Sequence, residues 1–151
     1  MDESAASAEH LRQSEGEGQA DWLIRVTEAF KDDPRIEPAE ALVECLRRSG
    51  DINTGARITH AVEVTALLLR APGTAREESR YRELAQEAAD LCPDDTTKAI
   101  LWTHIAEYLP PAQRASAMQK ARDSLTGEGK ELPNAFELFG DKAFGRGEAY
   151  V

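Results

Sequence analysis

His60 stands three residues before Glu63 and His104 three before Glu107, each histidine following a threonine, Thr59 or Thr103. Residues three apart share one face of a helix, close enough to hold an ion between them. Imidazole and carboxylate also serve as ligands in di-metal helical bundles, which place Glu-x-x-His on two helices and single glutamates on two others. Here the order is reversed, His-x-x-Glu, and no glutamates fall at matching positions for the remaining ligands. These residue types suit a small metal-dependent or acid–base enzyme built on the two pairs, or a repeated polar contact on a binding surface. A half-buried histidine bonded within its own helix, or a local ion pair with the glutamate, explains the spacing without either.

Residues 25–28, Arg-Val-Thr-Glu, lie over 60–63, His-Ala-Val-Glu, and 104–107, His-Ile-Ala-Glu. Pro-Ala openings recur at Pro38-Ala39 and Pro111-Ala112, on what would be the partner helices. The offsets are unequal, but recurrence at such periods is the mark of helical hairpins that bury each face on the next hairpin. Arg25, Glu28, His60, Glu63, His104 and Glu107 are therefore the candidate polar contacts, on the first helix of each hairpin.

Other chemistries lack their motifs. The sequence has no nucleophile elbow, no His-Glu-x-x-His and no dinucleotide fingerprint. Thr126-Gly127-Glu128-Gly129-Lys130 lacks the Walker spacing and leads into Glu131-Leu132-Pro133, so it reads as a linker. Burial can perturb any carboxyl, but no acidic pair is singled out. Cys45 and Cys92 form no Cys-x-x-Cys pair and read as small core residues, so neither a disulfide framework nor a zinc site is expected. No catalytic residue, cofactor or metal is assigned.

The 151 residues carry a net charge of −10, with a sequence pI near 4.8. Such a chain is a poor binder of phosphate backbones, whose affinity comes from Lys and Arg. With no basic run or basic recognition face, no nucleic-acid partner is expected. No apolar stretch approaches the roughly 20 residues of a membrane span. The acidic N-terminus lacks the layout of a secretory signal. A cytoplasmic location without membrane contact is the expectation.

The elements that must position these residues are helical, since apolar residues recur at the helical period from residue 20 and no window alternates like a strand. Residues 1–19 are acidic, with Leu11 their one large apolar residue, and read as a disordered tail. A first helix is expected over Ala20–Phe30, capped by Asp21, with Leu23, Val26, Thr27 and Phe30 on one face. A second opens at Glu37-Pro38 and ends at Gly50. A third, Thr54–Arg70, is apolar on more than one side and so should be central. Thr74 with Glu77 forms a capping box for the fourth. Asp94 or Asp95 opens the fifth. Pro111 starts the sixth, with Ala115, Met118, Ala121, Arg122 and Leu125 as its stripe. Arg76, Arg80 and Arg82 interleave with Glu77, Glu78 and Glu83 as a solvated, salt-bridged face.

After the domain at 20–126, residues 127–151 combine a Gly-containing linker with an aromatic tail. Asn134 and Glu137 could cap a short helix carrying Phe136, Leu138 and Phe139. That segment would either cover the end of its own helix stack or dock on another chain.

The stretch YRELAQEAADLCPD, Tyr81 to Asp94, places Ala88 and Pro93 at the spacing that closes a hairpin in tetratricopeptide-type repeats, and the next helix starts directly after it. Residues 54–126 thus resemble that family. The resemblance implies a scaffold that binds a peptide or protein rather than an enzyme. The expectation is an all-α fold of six helices in three antiparallel αα-hairpins, repeat-like or an irregular bundle. Its expected function is that of a noncatalytic adaptor that offers a helical groove to a protein or peptide.

Overall fold

The computed structural model describes residues 10–49 and 53–125. Among them are six helices and no strand: α1 Gln19–Asp32, α2 Ile36–Arg47, α3 Thr54–Arg70, α4 Ala75–Asp90, α5 Asp95–Tyr108 and α6 Pro111–Ser124. Consecutive helices pack as α1 on α2, α3 on α4 and α5 on α6. This is the all-α arrangement of three hairpins that the periodicity predicts.

Local chemistry sets most helix starts. The Asn53 side chain accepts a hydrogen bond from Ala56 N at 2.8 Å and caps α3. Thr74 Oγ1 accepts from Glu77 N, while Glu77 Oε1 accepts from Thr74 N at 2.9 Å, a complete capping box on α4. Gly73 is fitted to this turn, because a Cβ there would lie 3.0 Å from the Glu77 carboxylate that folds back over it. Asp94 Oδ2 accepts from both the backbone N and the hydroxyl of Thr97, capping α5. Pro111 occupies the first turn of α6, where a missing N–H costs no intrahelical bond.

Three expectations are corrected. Helix α1 begins two residues before Asp21, with Gly18 at its N-cap; Asp21 lies instead in the first turn, where its charge faces the positive end of the helix dipole. Helix α2 begins at Ile36, one residue before the expected opening at Glu37, with Pro38 in the first turn as its missing N–H favours. On α6 the buried residues are Ala117 and Ala121, with Leu125 beyond the helix end, whereas Ala115 and Arg122 are exposed. This helix is so short of large apolar residues that its period does not choose a face. Two alanines against α5 let the backbones approach closely, and packing makes the choice. Gly50 and residues 126–151, including Phe136, Leu138 and Phe139, lie outside the described residues.

The middle hairpin is the centre of the domain. Helix α3 packs on α2, α4 and α5, and α4 packs on α2, α3 and α5. Its neighbours on several sides agree with the broad apolar surface read from α3. The core runs through Leu42, Leu68, Leu84 and Ile105, all at 2 % exposure or less. Trp102 joins three helices: its indole donates to Asp90 Oδ1 at 3.0 Å, and Lys120 Nζ sits 4.7 Å from its ring centroid. Phe30 of α1 meets Tyr81 of α4 edge to face, ring centroids 5.5 Å apart.

Tyr81 is fully buried, and its hydroxyl finds no hydrogen-bond partner among the described residues. Burial, with Glu77 nearby, pushes its phenol pKa up, so the group stays neutral. A desolvated hydroxyl without a partner is a cost that phenylalanine does not carry. Tyr81→Phe should therefore leave the fold unchanged or stabilise it by up to about 1 kcal/mol. Urea unfolding reads this directly, and a loss of stability would reveal a partner for the hydroxyl.

Candidate functional site

Glu37, Glu40, Ala41, Glu44 and Arg47 recur at three- and four-residue steps and so form one stripe along α2. Arg80, Leu84 and Glu87 do the same on α4. Because α2 and α4 pack side by side, the two stripes line the furrow above their seam, with Ala41 and Leu84 among its apolar lining. Leu11, Arg12 and Trp22 line it as well, and the groove encloses about 340 Å³. From Glu37 to Arg47 it follows about 15 Å of helix, at 1.5 Å per residue.

Ion pairs cross the seam. Arg80 Nη2 donates to Glu40 Oε2 at 2.7 Å, and Arg47 pairs with Glu87. Glu44 takes Arg48 at 2.7 Å and Arg47 at 3.2 Å. The hydrogen bond to Glu40 is the main influence that raises the Arg80 pKa, so its charge is permanent. These side chains are roughly a third to two-thirds exposed, and such pairs contribute about 0–1 kcal/mol each. Their larger effect is to hold a charged rim around an apolar floor. Carboxylates outnumber guanidiniums in that rim.

Residues 10–18 form the adjoining feature, and here the expectation of a disordered segment through residue 19 is corrected. Leu11 is buried in the core cluster, 6 % exposed. The Trp22 indole donates to Leu11 O at 2.8 Å, and Arg25 donates to His10 O and Arg12 O, both at 2.5 Å. The same guanidinium grips Glu17 through Nε and Nη2 at 3.0 and 2.9 Å. Glu17 is kept in place by Ser14 N, which donates to its carboxylate at 2.9 Å. The low hydropathy of this stretch concealed that one leucine and a set of side chains reading its backbone could order it.

The candidates on the first helices are placed differently from one another. Arg25 spends its guanidinium donors on residues 10–17, while Glu28 is exposed. His60 is half-buried and Glu63 exposed on α3. His104 is buried, 1 % exposed, with Nδ1 3.5 Å from Glu107 Oε2, the local pairing that the three-residue spacing allows. Glu107 also lines a depression with Thr103, Ala106, Arg114 and Met118 between α5 and α6. Helices α3 and α5 are packed together, but α1 makes no comparable contact with α3, so the first helices form no single row. Among the described residues, no group of three or more His, Cys, Asp or Glu is arranged to hold a metal ion. No described helix is long and apolar enough to cross a membrane.

The groove on the second helices was not singled out by sequence reasoning. The Glu37-Glu40-Glu44-Arg47 spacing was its one available signal, but only the tertiary packing brings Arg80 and Glu87 opposite. The Glu78–Arg82 pair expected along α4 is present at 4.0 Å.

Two titrations follow. The hydrogen bond from Arg25, then that from Ser14, holds the Glu17 carboxyl at about 2 against its ordinary 4.5. Because folding lowers this value, the contact's stabilisation is complete above pH 4.5 and is lost as pH falls through about 2. Carboxyl NMR should show the low midpoint in the native chain, moving back toward 4.5 in Arg25→Met. Burial likewise pushes the Cys45 thiol up to about 12. Iodoacetamide at neutral pH should leave Cys45 unlabelled in the folded chain and label it once urea unfolds the domain. In the comparisons with known proteins, no family model matches the chain, and neither a curated protein nor a solved structure matches it.

Proposed function

We propose that this chain is a noncatalytic intracellular interaction module, an adaptor that takes a peptide or protein segment into the groove between α2 and α4. The observation that carries this reading is the pair of facing stripes, which join an apolar floor to a fixed charged rim over several helical turns. At about 340 Å³ the groove is at the small end of ligand-sized clefts. It suits the anchoring side chains of a larger partner, whose remaining contacts would spread over the neighbouring helix surface.

Charge selects among partners. The rim has more carboxylates than guanidiniums, and the whole chain carries −10. Basic segments are therefore drawn toward this surface and acidic ones repelled. The fitting partner presents a leucine-like anchor between Lys or Arg residues. Glu28, His60 and Glu63, all solvent-accessible to some degree, remain available as peripheral polar contacts. Resemblance of residues 54–126 to tetratricopeptide-type repeats supports a scaffold of this kind. The two buried free cysteines, Cys45 and Cys92, suit a reducing compartment.

Ala41 offers a clean test, because it lies half-buried in the lining of the groove and arginine is a good helix former. Ala41→Arg should fill the groove and shift stability by no more than about 1 kcal/mol. The probes are leucine peptides flanked by lysine and the same peptides flanked by glutamate. The native chain should bind the lysine set more tightly, with affinity falling as salt rises, and the variant should lose that binding. Equal binding of both sets, or binding indifferent to Ala41→Arg, would remove the groove from consideration.

A further inference from the structure

Three consecutive main-chain carbonyls, those of His10, Leu11 and Arg12, are each bonded by a side chain of α1, either Trp22 or Arg25. Side-chain donors reading successive backbone acceptors beside one buried apolar residue form the contact set by which a protein holds a bound peptide. The Arg25–Glu17 fork adds a charged end to it. We infer that the Trp22–Arg25 face of α1 is a peptide-reading site that residues 10–17 occupy in cis. Its ligand in trans is a partner segment of the same chemistry: a leucine between two residues with free carbonyls, and a glutamate six positions later.

The cis occupant is built to leave. Leu11 is the one fully buried side chain in the segment, and apart from the buried bond from the Trp22 indole to Leu11 O its contacts are polar bonds at half-buried or exposed positions. Gly16, at φ 80°, and Gly18 give the chain a pivot between Glu17's neighbours and α1. Segments held by few apolar contacts open locally without unfolding of the domain. The positive fork of Arg25 also sets this site apart from the acidic rim of the groove, so the two take peptides of opposite charge. The site adjoins the groove and shares Leu11, Arg12 and Trp22 with it, but the inference does not depend on the groove reading: its deciding residue, Arg25, does not line the groove.

Because a tethered segment competes at millimolar effective concentration, a peptide in trans must meet a weakened strap before it binds. The probe is a dye-labelled peptide of residues 10–18, HLRQSEGEG, with a scrambled version as control. It is titrated to millimolar concentration into the full chain, the L11S/E17Q chain and the L11S/E17Q/R25M chain, and anisotropy is read. Binding should be about a hundredfold tighter to L11S/E17Q than to the native chain, and should disappear when Arg25→Met is added. Equal affinity for all three chains, or no binding to L11S/E17Q, overturns the inference. A concentration-dependent dimer of the native chain that Leu11→Ser abolishes also overturns it, by assigning the site to the strap of a second copy.

Hydrogen exchange on the unmodified chain tests the opening step without any variant. The Trp22 indole N–H should exchange well ahead of the α5 core amides. If it exchanges only with global unfolding, the strap does not detach and the inference fails.

Discussion

Each helix among the described residues has apolar surface to bury and no sheet there to bury it on, so the helices must cover one another. That requirement falls hardest on the middle hairpin. Helices α3 and α4 each pack on both outer hairpins, which make no comparable contact with each other, so the outer hairpins are placed by what the middle one needs covered. The groove follows from the same constraint. Two cylinders in contact leave a furrow along their seam, and where α2 lies beside α4 no third helix fills it. Ala41, too small to close it, and Leu84 leave an apolar lining, and the residues one step further around each helix become the rim.

The rim shows how weak interactions can shape a surface without holding up a fold. Arg80 with Glu40 and Arg47 with Glu87 are partly exposed, and their contribution to stability is small. They nonetheless fix four long side chains that would otherwise sweep across the furrow. The resulting site is prepared before a partner arrives, which lowers the ordering cost of binding. Beside it, Trp22 and Arg25 hold the backbone of residues 10–12, so the polar segment is bound by its carbonyls as well as by the Leu11 and Glu17 side chains.

Much of the fold was legible along the chain, and particular residues show why. Asn53, Thr74 and Asp94 each bond a group three residues ahead, so a helix start can be read from a short window. Helix α6 marks where that legibility ends: with alanines on several sides, its buried face was settled by α5. The candidate site was less legible than the fold. His-x-x-Glu spacing correctly implied that His104 and Glu107 face one another, yet gave no sign that His104 would be interior. Arg25 gave no sign that its fork would be taken by Glu17.

By itself the order of residues determined the helix type, the number of helices, most of their limits and the pairing of neighbours, because capping, dipole and periodicity act within a few residues. Tertiary structure alone decided which outer stripes stand opposite, since Arg80 meets Glu40 and Arg47 meets Glu87 across 40 positions of chain. It also decided that Leu11 leaves water to lie in the core beside Trp22. Contacts at that separation depend on how three hairpins share one core, a property of the assembled domain that no short stretch of sequence contains.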